Sequence, residues 1–190
     1  MSKVYGFSEG STMYKMKEHA KASINFKSVK SNSEHQNNRE GKLKYVYSEL
    51  TDNNFNLSKQ TIHEAEIECR EYCQKVSGRK MMANATPIRE AVVNWTEDTT
   101  EYDLFKLSHA LRDNFGIDCF QIHFHRDEGK EKDELNHHAH MLFKWIDKRK
   151  EVEGKKNPKH GKVLRLGRAD MSRIQDLVAD TLGMERGQRK

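Results

Sequence analysis

Two segments of this chain, CFQIHFH (Cys119–His125) and HAHMLFKW (His138–Trp145), decide its fold. Each alternates apolar and polar residues with the period of two that is typical of a β-strand with one buried face. The alternate positions predicted to face a hydrophobic core are Phe120, Ile122, Phe124, Ala139, Met141, Phe143 and Trp145. The opposite face of both strands would then carry His125, His138 and His140.

The rest of the chain alternates between extended and helical patterns. Helices are predicted from a cap at Ser58 to Val76, from a cap at Thr99 or Thr100 over 101–115, and from Ala169-Asp170 to Gly183. Strands are predicted at Glu90–Thr96 and, more briefly, at 23–26 and 44–47, with a loop at 31–39, a charged insertion at 126–136 and a long hairpin or flexible arm at 147–168. This order predicts an α+β fold: an antiparallel-dominated central sheet, helices packed on one face, and an open face for a ligand.

Composition limits the class of protein. A length of 190 residues predicts a single domain, 1–190, and the net charge of +5 suits a polyanionic partner without demanding one. There is no apolar run of membrane-spanning length, so no membrane segment is predicted. The 3 cysteines form no C-x-x-C pair, which argues for a reducing compartment, and we expect a cytoplasmic protein.

The histidines on the predicted open face suggest a metal site. Imidazole nitrogens and a carboxylate are the ligands of many catalytic divalent metals, and Glu128 follows His125 closely. No cysteine is placed to complete a closed structural zinc site. Because the chain has 10 histidines, solvated surface residues without a ligand are the alternative.

The motifs around these residues resemble those of a known family. His125-Arg126-Asp127-Glu128, followed by His138-Ala139-His140, resembles the His-x-Asp-Glu … Pro-His-x-His signature of the Mob/Pre plasmid mobilization relaxases, which belong to the HUH endonuclease group. Weaker matches are Lys15-Met16-Lys17 and the closing segment Gly183-Met184-Glu185-Arg186-Gly187. Two departures are His137 in place of the usual proline and a longer gap at Gly129–Asn136.

The resemblance implies a function. Relaxases of this family nick and rejoin one strand of DNA at an origin of transfer, with Mn²⁺ or Mg²⁺, through a covalent link to the 5′ phosphate. Carried over, His125, His138 and His140 would be metal ligands and Glu128 the fourth. The partner would be single-stranded DNA at the origin, with or without an adjacent hairpin. The resemblance further implies that the domain is the N-terminal part of a longer protein, which dimerises through regions outside this chain.

The nucleophile stays open between several residues. His35-Gln36-Asn37-Asn38-Arg39 is the nearest counterpart of the family's His-Asn-x-Arg motif, which makes His35 the first candidate and assigns Arg39 to the catalytic set. Other HUH enzymes use tyrosine, so Tyr45 and Tyr47 are the next candidates, followed by His19.

A basic stretch near the C-terminal end is the candidate DNA contact. It contains Lys155, Lys156, Lys159, Lys162 and Arg165, which would hold the phosphate backbone, although a solvated loop is the ordinary use of such a run. Alternative functions are a rolling-circle replication initiator or transposase of the same fold, a non-catalytic DNA-binding regulator with a structural ion, and a hydrolase of small phosphate esters.

Overall fold

A five-stranded antiparallel sheet with the strand order β1-β3-β7-β4-β2 organises the fold. This description comes from a computed structural model and covers residues 21–41, 45–132 and 134–187. The strands are β1 (Ser23–Ser28), β2 (Phe55–Ser58), β3 (Ile88–Asn94), β4 (Asp118–His125), β5 (Gly129–Glu131), β6 (Glu134–Leu135), β7 (His138–Lys144), β8 (Glu151–Val152) and β9 (Lys155–Lys156). The helices are α1 (Ser33–Asn37), α2 (Ile62–Ser77), α3 (Glu101–Phe115) and α4 (Arg168–Leu182), with a 3-10 helix at Ser48–Asn53.

One face of the sheet forms the main hydrophobic core with α3 and α4. Ile122, Phe124, Met141 and Phe143 lie on this face, as predicted, and pack against both helices. Complete burial of one such side chain contributes about 1.5–3 kcal/mol, so this layer dominates the stability of the domain. The predicted helix 101–115 is confirmed with Thr100 as its cap.

Helix α2 packs on the second face of the sheet, which the sequence did not predict. Ala65 and Cys69 contact Ile88 and Leu142 there, in a smaller apolar cluster. Phe120 joins this cluster because a β-bulge between Cys119 and Gln121 reverses the alternation of β4. The predicted α+β class with its antiparallel sheet is confirmed, but the histidine-bearing face is open only beyond the part that α2 covers.

The N-terminal half contains a strand that the sequence prediction assigned to a helix. Phe55–Ser58 forms β2 at the edge of the sheet, and α2 starts after Thr61 instead of Ser58. Thr61 and Glu64 form a capping box, which satisfies backbone N–H groups of the first turn. A Thr-x-x-Glu pattern is a stronger signal for the start of a helix than the single residue Ser58, and it was present in the sequence.

The segment between β1 and β2 also differs from its prediction. The expected loop at 31–39 contains the one-turn helix α1, and the expected strand at 44–47 is reduced to an isolated bridge between Val46 and Glu128. Lys44 lies outside the described residues, as do His19 and Lys15-Met16-Lys17.

The C-terminal basic stretch is a fixed hairpin, one of the two predicted alternatives. Val163 forms a bridge with Ile146, and the Asp147 backbone is hydrogen-bonded to Gly161 and Lys162. These contacts join the two ends of the segment that contains β8 and β9. The charged insertion at 126–136 likewise forms a short hairpin, β5–β6.

The closing segment after Gly183 returns to the sheet. Ala22 donates a backbone hydrogen bond to Glu185 and bridges Arg186, next to edge strand β1. Within the ranges that the structure covers, no helix has the length and apolar character that a membrane span needs.

Candidate metal centre

Three histidine side chains converge on the part of the sheet that α2 leaves uncovered. His125, His138 and His140 each offer one ligand atom, and these atoms all lie within 4.8 Å of one another. The register explains the convergence, because His138 lies opposite His125 on the neighbouring strand and His140 is two residues further along β7. The alternation in the two strands therefore brings together the three residues that it predicted.

Each of these rings has one nitrogen bonded to a protein acceptor. His125 Nε2 lies 3.0 Å from the carbonyl oxygen of Asn37, and His138 Nδ1 lies 2.8 Å from that of Asn136. His140 Nδ1 is hydrogen-bonded to the carboxylate of Glu90. Because a carbonyl or carboxylate oxygen can only accept, these nitrogens carry the protons, and the other nitrogen of each neutral ring keeps its lone pair. Histidines that bind metals are oriented in this way.

The electrostatics of the site keep two of the three rings, His125 and His138, neutral. Burial, together with the positive charge of Arg39, lowers the pKa of His125 to about 2. Burial also lowers the pKa of His138. Neutral imidazole is the form that binds a metal, so protons compete weakly for these two ligands near pH 7.

His125 also has an unpaired buried atom. Its Nδ1 has no hydrogen-bond partner among the residues that the structure describes. An unsatisfied buried polar atom costs about 1–3 kcal/mol, which coordination to a cation would remove. Three imidazole nitrogens, one of them buried and unpaired, therefore fit a divalent metal such as Mn²⁺ or Mg²⁺, with nitrogen donors favouring the former.

Glu90 is a member of the site that the sequence analysis missed. Its buried carboxylate accepts hydrogen bonds from Ser33, Asn37 and His140. Burial alone would raise the pKa of Glu90, but its hydrogen bond to His140 and the nearby positive charges outweigh burial and hold the pKa at about 2. The sequence did contain a signal for this role. Glu90 is a carboxylate at the start of a predicted strand, and it lies on the face of β3 that adjoins His140.

Glu128 lies beside the three histidines without joining their close group. Its Oε2 is 3.6 Å from His138 Nε2, while its Oε1 is 2.7 Å from Arg39 Nη1. The Arg39 guanidinium also bonds to the fully buried Asp127. Arg39, which the sequence predicts among the catalytic residues, is 8% exposed at its side chain and forms ion pairs with both carboxylates.

The candidate nucleophiles lie on a segment that is attached to this site. Asn37 contacts His125, and Arg39 contacts Asp127 and Glu128, so the chain just after His35 is attached to the centre. The side chain of His35 is 57% exposed, and its Nδ1 is 3.0 Å from the Glu40 carboxylate.

The two tyrosines continue along the same segment. The backbone of Tyr45 accepts a hydrogen bond from Gly129, and Tyr47 donates one to Asp127, so both flank Glu128. Tyr45 is 59% exposed and has a left-handed backbone conformation, with φ of 68°, whereas Tyr47 is half-buried. His35 and both tyrosines are therefore attached to the neighbourhood of the histidines.

The predicted DNA-binding cations divide into two groups. Lys155 and Lys156 form the exposed strand β9 of the hairpin. Lys159, Lys162 and Arg165 line a groove of about 890 Å³ together with two cations that the sequence analysis did not include, Arg79 and Lys80.

This basic groove adjoins Thr86 near the start of β3, whereas the histidines lie at the end of β3 marked by Asn94. A seven-residue strand separates the two sites by roughly 20 Å.

Comparison with solved structures identifies a shared fold. The chain is similar to the MobM relaxase domain (MOBV; Mob_Pre), solved in Mn-bound form with plasmid pMV158 oriT DNA. Two such structures have TM-scores of 0.60 and 0.59, with 17% sequence identity, over 89% of this chain and 91% of that chain. A third, with 26-nucleotide oriT DNA, has a TM-score of 0.50 and 16% identity over 89% and 92% of the two chains. No family model and no curated protein sequence matches the chain. The relaxase-like fold expected from the motifs is confirmed.

Proposed function

We propose that this protein is a metal-dependent endonuclease of the HUH type that nicks and rejoins single-stranded DNA at the origin of transfer of a plasmid or mobile element. The observation that carries the proposal is the convergence of His125, His138 and His140 within 4.8 Å. Support also comes from the fold, which is similar to that of a relaxase domain bound to oriT DNA.

The three histidines would hold one divalent cation, with Glu128 as a fourth ligand or as a partner of a bound water. When bound, the cation would neutralise the scissile phosphate and stabilise the charge that develops on its oxygens. Asn37, Asn136 and Glu90 orient the rings through their hydrogen bonds. Arg39 keeps the carboxylate of Glu128 beside His138.

His35 is the nucleophile in this proposal, and its contact with Glu40 supports that role. The carboxylate of Glu40 accepts the Nδ1 proton of His35, so Nε2 carries the lone pair. Attack by Nε2 on phosphorus would form a P–N bond to the 5′ phosphate and break the P–O3′ bond, and the 3′ oxygen would take up a proton. Reversal of this step by a 3′ hydroxyl would rejoin the strand. Tyr45 and Tyr47 are the alternatives, and each would form a phosphotyrosine ester in the same way.

The basic groove would bind the phosphate backbone of the substrate away from the cut. Lys159, Lys162 and Arg165 face Arg79 and Lys80 there, and the apolar lining includes Met81. Each phosphate contact releases counterions, so the logarithm of affinity should fall with the logarithm of salt concentration, by about 0.7 per contact on a single strand. Replacement of Lys159 and Lys162 by Gln should reduce this slope, whereas Arg173→Gln on α4 should not.

A cleavage assay with mass spectrometry tests the proposal. Purified protein with Mn²⁺ is mixed with single-stranded oligonucleotides that tile the plasmid or mobile element encoding it. We expect one strand to be cut and a peptide–oligonucleotide conjugate to form, with the modified residue identified by fragmentation. Wild type and the variants His35→Asn, Tyr45→Phe and Tyr47→Phe are compared, and only the first should abolish the conjugate.

Other outcomes would favour other functions. Cleavage without a conjugate would assign the attack to water, and DNA binding without cleavage would favour a regulator. Hydrolysis of a small phosphate ester that is insensitive to salt, without DNA cleavage, would favour a phosphatase. The sequence that is cut separates transfer from rolling-circle replication or transposition.

A further inference from the structure

A stack of three rings extends from the main core to the surface beside the metal centre. Trp95 lies between Phe124 and His137, with ring centroids 4.1 Å and 4.5 Å apart and interplanar angles of 13° and 15°. The guanidinium of Arg126 covers the edge of this stack, 5.0 Å from the Trp95 ring and 4.6 Å from the Phe124 ring. Near-parallel rings with a flanking arginine have the arrangement on which nucleobases stack in proteins that bind single strands.

The stack has unused hydrogen-bonding capacity. Trp95 Nε1, Arg126 Nε and His137 Nδ1 are buried, and none has a hydrogen-bond partner within the described part of the chain. Three unpaired polar atoms in one cluster are unusual, because buried polar groups in folded proteins are nearly always satisfied. Arg126 forms a loose ion pair, with Nη2 3.6 Å from the Glu101 carboxylate.

A cavity opens at this cluster. Its volume is about 520 Å³, and Trp95, Arg126 and His137 line it together with Glu97 and Asn53. This volume is within the range of roughly 300–1,000 Å³ of small-ligand sites, and a nucleotide unit fits it. The lining combines a flat aromatic surface, a cation and side-chain acceptors, which suits a base with its own donors and acceptors.

The cavity is one residue away from the proposed metal ligands on two strands. Arg126 follows His125, and His137 precedes His138. Neighbouring Cα atoms are about 3.8 Å apart, so a strand whose phosphate lies at the histidines passes this cavity within a nucleotide or so. Because side chains alternate, the ligands point to one face of the sheet while the rings of the stack lie on the other. The cavity lies on the side of the stack, next to Glu101 at the start of α3.

We propose that this cavity binds one nucleobase of the DNA strand, close to the scissile phosphate, with the base stacked on His137 at the end of the ring stack and the adjacent backbone held by Arg126. This inference rests on the proposed function, since it concerns the same DNA strand. A base bound here fixes the register of the strand, and therefore fixes which phosphate reaches the histidines.

Photo-cross-linking tests the contact without knowledge of the target sequence. Single-stranded oligonucleotides with 5-iodouracil at random positions are irradiated with the protein, and the conjugated peptides are sequenced by mass spectrometry. We expect cross-links at His137, the outer ring of the stack. Cross-links confined to other peptides, such as those of the basic groove, would overturn the pocket.

An abasic scan measures the same contact in solution. The probe is the strand cut in the cleavage assay or, if none is cut, the tightest binder selected from a random single-stranded pool. Removal of one base near the scissile or metal-proximal phosphate should weaken binding to wild type by roughly 5- to 150-fold, the range for one base stacked on an aromatic ring.

Variants then link that base to the stack. His137→Ala should lose the sensitivity to base removal, and His137→Phe should restore it because the ring surface returns. His109→Ala, at an exposed histidine of α3, should behave as wild type. Binding of Mn²⁺ is measured for each variant, because a substitution at His137 that displaces His138 would weaken it. A variant with weakened Mn²⁺ binding is excluded from the comparison.

The outcomes separate the two proposals. If no single strand binds to the wild type, the proposed function fails and this inference fails with it. If strands bind but affinity is indifferent to every single base removal, or if His137→Ala keeps the full sensitivity, the nucleobase pocket alone is wrong.

Discussion

Arg39 and Asp127 form a bidentate ion pair in the interior of the protein, with Nη2 2.7 Å from Oδ1 and Nε 3.1 Å from Oδ2. The pair joins the segment after α1 to the end of β4, two residues beyond His125. Thr51 and Asn54 donate further hydrogen bonds to Asp127, so one carboxylate holds most of the segment that carries the candidate nucleophiles.

Removal of this charge should destabilise the domain strongly. Asp127→Asn leaves the guanidinium of Arg39 buried with only Glu128 to compensate it, and we expect a loss of roughly 3 kcal/mol in the free energy of unfolding. Urea denaturation of the metal-free protein measures it. Asp113→Asn is the matched control, because the exposed pair of Asp113 with Arg112 contributes about 0–1 kcal/mol. Equal losses of unfolding free energy in the two variants would show that the Arg39–Asp127 pair is unimportant for stability.

Glu90 should set the metal affinity through His140. In Glu90→Gln the neutral amide is a weaker acceptor for His140 Nδ1, so the ring is less well oriented and less basic. We expect about 10–100-fold weaker Mn²⁺ binding by isothermal titration calorimetry, with the fold retained. Glu68→Gln, which removes a partner of Lys144 at the other end of β7, should leave the affinity unchanged. An unaltered affinity in Glu90→Gln would contradict the orienting role.

Gly41 should matter for cleavage because of its closeness to His35. A Cβ at Gly41 would lie 3.3 Å from His35 Nε2, on a backbone with φ of +95°. Gly41→Ala should therefore displace the ring and slow cleavage in a single-turnover assay, while costing about 1 kcal/mol in stability. Gly78→Ala has a similar backbone strain, with φ of +70° and nothing within 4 Å, and should lose stability without a change in cleavage rate. Identical cleavage by both variants would argue against attack by His35.

The N-terminus of α3 should give an acid-dependent contribution to stability. Hydrogen bonds from Lys106 and from the Thr100 backbone lower the pKa of Asp103 from 3.8 to about 2. A carboxyl with a lowered pKa stabilises the fold above its unfolded pKa, and this stabilisation is lost as pH falls from about 4 to about 2. Asp103→Asn should remove about 1 kcal/mol at pH 7 and flatten this part of the profile, as measured by thermal unfolding against pH. Asp180→Asn, in the last turn of α4, should instead be neutral or slightly stabilising.

The histidine cluster was predictable because it depends on the most regular property of a strand. The period of two assigns His125, His138 and His140 to one face, and no irregularity intervenes between these positions in the structure. Phe120 was assigned to the wrong face because it is the unpaired residue of the bulge between Cys119 and Gln121, and a bulge has no pattern of its own in a single sequence. Helix α2 was predicted, but its position on the histidine-bearing face depends on tertiary packing.

The remaining parts of the site depend on contacts that residue types do not encode. Two of the three acceptors that orient the histidine rings are the backbone carbonyls of Asn37 and Asn136. Because every residue has a backbone carbonyl, the residue type does not indicate this role. Arg39 was recognised from a motif, but its role followed only from the burial of Asp127, 88 positions away. The cations Arg79 and Lys80 join the basic groove through the fold alone.

The central claim is that three imidazoles of one chain share a divalent cation, and pulsed electron paramagnetic resonance of bound Mn²⁺ tests it most directly. In protein with ¹⁵N-labelled histidine, we expect one Mn²⁺ per chain with hyperfine coupling to three histidine nitrogens. The coupling count should fall by one in each of His125→Ala, His138→Ala and His140→Ala, and should stay unchanged in His63→Ala. A bound Mn²⁺ without histidine coupling, or a spectrum that none of the three substitutions alters, would contradict the account.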